Sequence, residues 1–316
     1  MILAEDDSPQ VVIDGFSDIL DKTTFDGVFV GNLSALALDT DGRIAALSDR
    51  SSLFVLDAGT RRPVSVTALA DEDGRPLDPE GLVVDHDGTR LVSSEEPAIR
   101  RFTRDGRLLG ELPIPDELRI APQGRATVNL TFEGLALRSD GRTLVASMEG
   151  PLTGDGAGIV RFRTWRRVGI THDFAIAAQH GYRVDPGLAI SDLAESGDDR
   201  LLVLERGYTD SGNTVRVYVG DPQRATDVRA IPYLTGQEDV RLIGKTLLTD
   251  IGDLPSLGAP AHQPQANPLL GNIEGMAVVG HAPDGRVRLL LVSDDNHSPT
   301  QITRLYSLTV RLPRRA

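Results

Sequence analysis

EGLVVDHDGTRLVSSEE, Glu80 to Glu96, reads as a short apolar run, an Asp-Gly turn, and a second apolar run ending in acid. Asp-Gly between alternating runs is a strong hairpin signal, because glycine accepts the positive φ of the turn. The same unit recurs as LSALALDTDGRIAALSDR (Leu33 to Arg50), EGLALRSDGRTLVASMEG (Glu133 to Gly150), SDLAESGDDRLLVLERG (Ser191 to Gly207) and EGMAVVGHAPDGRVRLLLVSDDN (Glu274 to Asn296). Six residues separate the leading apolar residue from the turn in four copies: Leu36 to Gly42, Leu82 to Gly88, Leu135 to Gly141 and Leu193 to Asp199. Met276 to Gly285 is three longer.

Further strand-like runs fill the gaps, such as SLFVLDAG and PVSVTALA after the first copy. Each unit therefore holds about four antiparallel strands. The copies begin 46, 53, 58 and 83 residues apart. Four-stranded units at such a period predict an all-β chain folded as a β-propeller. Five blades are expected. Six is the alternative if the gap from Gly220 to Gly271 conceals an irregular blade. The fifth unit has one further strand, ITRLYSLTVRL, and the run QVVIDGFSDIL near the N-terminus has no unit of its own. The simplest closure makes that run the outer strand of the last blade, covering an open edge. No linker or composition shift divides residues 1–316, so one domain is expected.

Composition narrows the function. The 316 residues are 40% hydrophobic, enough for a sizeable core, and only 4% aromatic, which argues against a groove paved with stacking rings. Lys+Arg 33 against Asp+Glu 46 leaves −13, a charge that repels nucleic acid and anionic lipid in the absence of a local basic patch. Neither is expected as a partner. Cysteine is absent, which removes disulfides, thiolate metal sites and cysteine nucleophiles. No apolar stretch is long enough for a transmembrane helix, and MILAEDDSPQ lacks the pattern of a signal peptide.

Hairpin topology gathers candidate residues. The start of each innermost strand and the end of its neighbour lie at the same edge of a blade, and in a ring these edges converge on one mouth of the channel. The starts bring Glu80, Glu133, Asp192 and Glu274. The ends bring Asp49, Arg50, Glu95, Glu96, Glu149, Glu205, Arg206, Asp294, Asp295 and Asn296. Such crowded carboxylates raise one another's pKa unless a cation compensates, and a hard ion taking several oxygens, such as Ca²⁺, suits them. The expected ligands are Glu80, Glu133, Asp192, Glu274, Asp295 and Asn296. Asp294 and His297 are the expected acid–base groups, and Arg50 and Arg206 would hold an anionic substrate group. A purely structural use of the same carboxylates, capping backbone NH groups and pairing with arginine, is the competing reading. Gly81, Gly134 and Gly275 are read as letting backbones approach at the axis. The D-x-D-G stretches are read as turns, and the pairs Arg61-Arg62, Arg100-Arg101 and Arg166-Arg167 as decoration of the outside.

NIEGMAV (Asn272 to Val278), SDDNHSPTQITRLYSL (Ser293 to Leu308), KTLLTDI (Lys245 to Ile251) and FEGLAL (Phe132 to Leu137) resemble the phytase-like, "esterase-like activity of phytase" family of bacterial proteins. The resemblance runs from about Gly31 to Leu312. It implies a β-propeller, hydrolysis of a phosphate or carboxylic ester, and secretion or a periplasmic location. The combined expectation is a metal-dependent ester hydrolase, monomeric, acting on a small-molecule ester with Ca²⁺ and no organic cofactor. A non-catalytic binding propeller and a Ca²⁺-dependent lactonase are the alternatives.

Overall fold

Each recurring unit folds into the two inner strands of a blade. The computed structural model of the protein describes residues 10–315. Among these, five four-stranded antiparallel sheets form a ring. Blade 1 comprises Leu33–Leu38, Ile44–Ser48, Ser52–Leu56 and Pro63–Ala68. Blade 2 comprises Pro79–Val84, Arg90–Ser94, Ala98–Phe102 and Leu108–Glu111. Blade 3 comprises Phe132–Leu137, Thr143–Met148, Ile159–Arg167 and Phe174–Arg183. Blade 4 comprises Ala189–Glu195, Leu201–Thr209, Gly212–Asp221 and Gly244–Asp250. Blade 5 comprises Asn272–His281, Val287–Asp294, Leu305–Arg311 and, as its outer strand, Gln10–Ser17. The N-terminal strand therefore closes the ring, pairing from Gln10 opposite Arg311 to Ser17 opposite Leu305. The gap from Gly220 to Gly271 holds the outer strand of blade 4 and loops, not a sixth blade. The short hairpin Thr23–Phe25 and Val28–Val30 stands between the closing strand and blade 1.

The turns behave as their sequences predict. Gly42 adopts φ 82°, and in the fourth copy Asp199 takes the same left-handed region at φ 67°. Aspartate tolerates that region better than most side chains do. Residues 1–9 of the stretch read for a signal peptide lie outside the described residues. Among the described residues no helix is long and apolar enough to cross a membrane.

The core is layered between blades. Leu82, Leu135, Leu193, Met276 and Leu36 each enter a different buried cluster, one per blade interface. The ring thus has no single centre of stability; each interface buries its own apolar layer. Where inner strands meet near the axis there is no room for a side chain. A Cβ on Gly134 would stand 2.4 Å from Leu193 N and 2.6 Å from the Asp192 carbonyl carbon, and one on Gly81 would stand 2.3 Å from the Glu133 oxygen. The reading of these glycines as points of close approach holds. Gly134→Ala is expected to destabilise the protein by about 2–3 kcal/mol through overpacking against fixed backbone. A lowered denaturant midpoint at unchanged slope would show this, and an unchanged midpoint would contradict it.

The expectation for the basic pairs holds for Arg62 and Arg166, which are exposed, and is corrected for three others. Arg100, Arg101 and Arg167 are buried. Arg101 Nη1 and Arg167 Nη2 donate to Asp85 at 3.0 and 2.7 Å, tying blade 2 to blade 3, and the fully buried Arg90 pairs with Asp39 at 2.5 Å. Arg101 and Arg167 meet at the turn aspartate of blade 2, and Arg100 lies near Glu72 and Glu111 at 3.8 and 3.4 Å.

Candidate functional site

The mouth is built by one irregularity repeated five times. In every blade the ladder between the two inner strands shifts register near the start of the first: Leu33/Ala35, Pro79/Leu82, Phe132/Leu135, Ile190/Asp192 and Ile273/Gly275. A bulge leaves a residue unpaired and re-aims it. The residues so released are Ser34, Glu80, Glu133, Ser191 and Glu274. The equivalent register at the end of the second strand supplies Asp49, Glu95, Glu149, Arg206 and Asp294. Two stacked rings of five therefore carry seven carboxylates and a single arginine.

The carboxylates are close and partly or wholly withdrawn from water. Oxygens of Glu95, Glu133 and Glu149 all lie within 4.8 Å of one another. Arg206 Nη2 donates to Glu274 Oε1 at 2.5 Å, and Asn272 Nδ2 donates to the same oxygen at 3.0 Å. Burial, reinforced by neighbouring Glu80 and Glu149, pushes Glu133 well above the ordinary carboxylate range. Glu80 rises likewise, through burial and then Glu274. Burial is also the first cause for Glu95 and Glu149, each pushed up to about 7, for Asp49 at about 6 and for Asp294 at about 8. Burial works against the Arg206 charge, but Glu274, Glu133, Glu149 and Glu80 outweigh it and raise its pKa.

Not every expected residue joins this cluster. Asp192 occupies the position that glycine holds in blades 2, 3 and 5, one place after the bulge residue. Its carboxylate accepts from Leu193 N and Met276 N at 2.7 Å each, stapling blade 4 to blade 5. Asp295 is fully buried but turned to Lys22 Nζ at 2.5 Å and Asn32 N at 3.1 Å. Asn296 is exposed, with its amide on Gln301 Oε1 at 2.9 Å. His297 is exposed, and its ring meets Phe29 edge-on at 4.6 Å. Arg50 is also exposed, at the lip, 3.4 Å from Asp49. Glu205 lies one register earlier than Arg206 and faces inward between blades, accepting from Tyr182 Oη at 2.7 Å and Lys245 Nζ at 2.6 Å. Glu80, Glu133, Glu274, Asp294 and Arg206 do converge. Glu95, Glu149 and Asp49 belong with them and were named only as strand ends, not as ligands; aligning the repeats by ladder register would have placed them.

The donor set suits a hard cation. Seven carboxylates around one arginine hold far more potential negative charge than Arg206 balances. Arg206 Nε is buried without a hydrogen-bond partner, and Asp49 Oδ1 makes no hydrogen bond and faces Arg50 Nε at 3.4 Å. Carboxylate oxygens without nitrogen or sulfur select Ca²⁺, Mg²⁺ or Mn²⁺ over softer ions. The opposite end of the channel is chemically different: a shallow cavity of about 280 Å³ lined by Leu38, Val84, Leu137 and Val278.

The model of the family described as "Phytase-like: Esterase-like activity of phytase" matches residues 28–297. Over 118 aligned residues the chain is 29% identical to an uncharacterized secreted protein of Arthroderma benhamiae, covering 29% of this chain. The chain spans 23% of that curated relative's length. Among solved structures it is similar to the glutaminyl cyclase of Myxococcus xanthus, at 14% identity, 95% of this chain, 96% of that one and TM-score 0.47. It is also similar to the RRP9 WD40 repeats, at 13% identity, 96% of this chain, 100% of that one and TM-score 0.44.

Proposed function

The chain belongs to the Phytase-like family, and from that premise we propose that it is a metal-dependent hydrolase of a phosphate or carboxylic ester, with its site at the acidic mouth. The observation carrying this reading is the Glu95–Glu133–Glu149 cluster set beside Arg206. Those three glutamates, with Glu80 and Glu274, would hold the ion, and Ca²⁺ is the proposed one. The chemistry a divalent cation supplies when bound is Lewis acidity toward a phosphoryl or carbonyl oxygen.

The protein's own groups do the rest. Arg206 is fixed by Glu274, with Nε buried and without a partner, and its guanidinium would orient the ester's acyl or phosphoryl group. Asp294, whose carboxyl burial and the nearby Glu274 push up, is placed to pass a proton to a leaving alkoxide. Asn272 steadies this pair, contacting Glu274 at 3.0 Å and Asp294 at 3.4 Å. His297 and Arg50, both exposed, would act at the lip on the substrate's outer portion.

The test is an ester panel (phosphomonoester, carboxylic ester and lactone) assayed with EDTA and with added Ca²⁺. Turnover of a phosphate or carboxylic ester that requires Ca²⁺ is expected. Hydrolysis of the lactone alone would make the protein a Ca²⁺-dependent lactonase. No turnover of any member would leave a binding propeller and overturn the hydrolase reading.

A further inference from the structure

The face that carries the Asp-Gly turns holds a basic cleft in a chain whose net charge is −13. It runs between blades 4 and 5 as two adjoining hollows of about 330 and 510 Å³ that share Arg200 and Arg314. Seven arginines line it against three aspartates, Asp198, Asp221 and Asp284. Lys245 also borders it, but its ammonium is turned inward to Glu205.

The cleft is anchored. Arg200 is 6% exposed; its Nη1 donates to Pro313 O at 2.8 Å and its Nη2 to Asp198 at 2.6 Å. The segment after blade 5 is thereby pinned to blade 4, and Arg315 Nε reaches Asp221 at 3.2 Å from the same segment. Arg224, Arg241, Arg311, Arg314 and Arg315 are exposed along this lining. Guanidinium groups suit phosphoryl groups, which accept forked pairs of hydrogen bonds; Arg286 in this lining is already held by Asp284 at 2.6 Å.

We propose that this cleft is a docking groove for a slender chain of phosphoryl groups, such as linear polyphosphate. Charge favours that occupant. A broad anionic partner, such as a membrane or a nucleic-acid duplex, would also meet the acidic remainder of a surface whose chain carries a net charge of −13. A single phosphoryl chain senses mainly the charges within about 8 Å, the screening length at physiological salt, and within that range arginine is in excess. The groove lies at the opposite end of the ring from the acidic mouth, so occupancy of one does not require the other.

The test is fluorescence anisotropy of end-labelled linear polyphosphate titrated with the whole protein. Binding is expected at low salt. It should weaken by about fifty-fold between 50 and 200 mM salt if four phosphates are contacted. The variant R241E/R311E/R315E should bind at least about tenfold more weakly and with a shallower salt slope, while R43E/R107E on blades 1 and 2 of the same face should bind like the parent. Unchanged melting temperature in both variants confirms folding. Absence of polyphosphate binding, equal loss in the two variants, or tighter binding of phosphatidylserine vesicles or duplex DNA would overturn the proposal. Ester turnover plays no part in this readout, so its failure and that of the hydrolase reading are separable.

Discussion

Glu133→Gln is expected to abolish Ca²⁺ uptake by the acidic mouth. Glu133 stands in both the bulge ring and the three-oxygen cluster, and it is 6% exposed. Glutamine keeps its volume and one oxygen but removes the charge that a hard cation requires. A rise in Kd of at least about a hundredfold is expected, about 2.7 kcal/mol, read by isothermal titration calorimetry. The same variant should melt higher than the parent in EDTA at pH 8, because folding no longer has to bury or protonate a carboxyl beside Glu80 and Glu149. Unchanged Ca²⁺ affinity would remove Glu133 from the ligand set. A lower melting temperature in EDTA would instead mark it as a structural acceptor.

The second large effect is on pH dependence. Asp49, Glu95, Glu149 and Asp294 titrate at about 6, 7, 7 and 8 in the folded protein, against 3.8 or 4.5 for the ordinary side chains. Between about pH 4 and 8 the folded state therefore holds more protons than the unfolded chain. Stability from these groups is complete below about pH 4 and is lost as pH rises through 6 to 8. These groups are only partly screened from solvent, so a loss on the order of 3 kcal/mol is expected, about 5–10 °C in melting temperature. Saturating Ca²⁺ should restore most of it at pH 8, by binding the folded state alone. Differential scanning calorimetry from pH 5 to 8.5, with and without EDTA, reads both. A metal-free profile that stays flat or rises with pH would show that the mouth carboxylates are already compensated.

Fold and site were legible to different depths. The blades announced themselves because each needs the same tight turn between two apolar runs, and Asp-Gly marks four of the five, with Asp198-Asp199 in the fourth. The closing strand was legible by elimination, since Gln10 to Leu20 had no other partner. The site required a finer coordinate. Topology correctly brought Glu80, Glu133, Glu274, Asp294 and Arg206 to one end. It could not say which of two consecutive residues faces the axis, because alternation reverses with every one-residue slip. Hence Glu205 and Arg206 looked equivalent, and Asp192 was aligned with glutamates when its true counterpart is glycine. The bulge resolves both, and it is a property of strand pairing that leaves no residue signature beyond the small residue at its second position. Asp295 and Asn296 were attracted by adjacency to Asp294, but the chain turns away there, and their side chains answer to Lys22 and Gln301.

Pairing of Gln10–Ser17 with Leu305–Arg311 carries a consequence for biosynthesis. The strand Gln10–Ser17 waits some 290 residues of chain for its neighbour to be made. Until then the nascent toroid is a sprung washer with two raw edges, each able to recruit a foreign chain. Folding speed should suffer from such distant pairing, and deleting residues 10–17 should leave Leu305–Arg311 as a permanent invitation to aggregate.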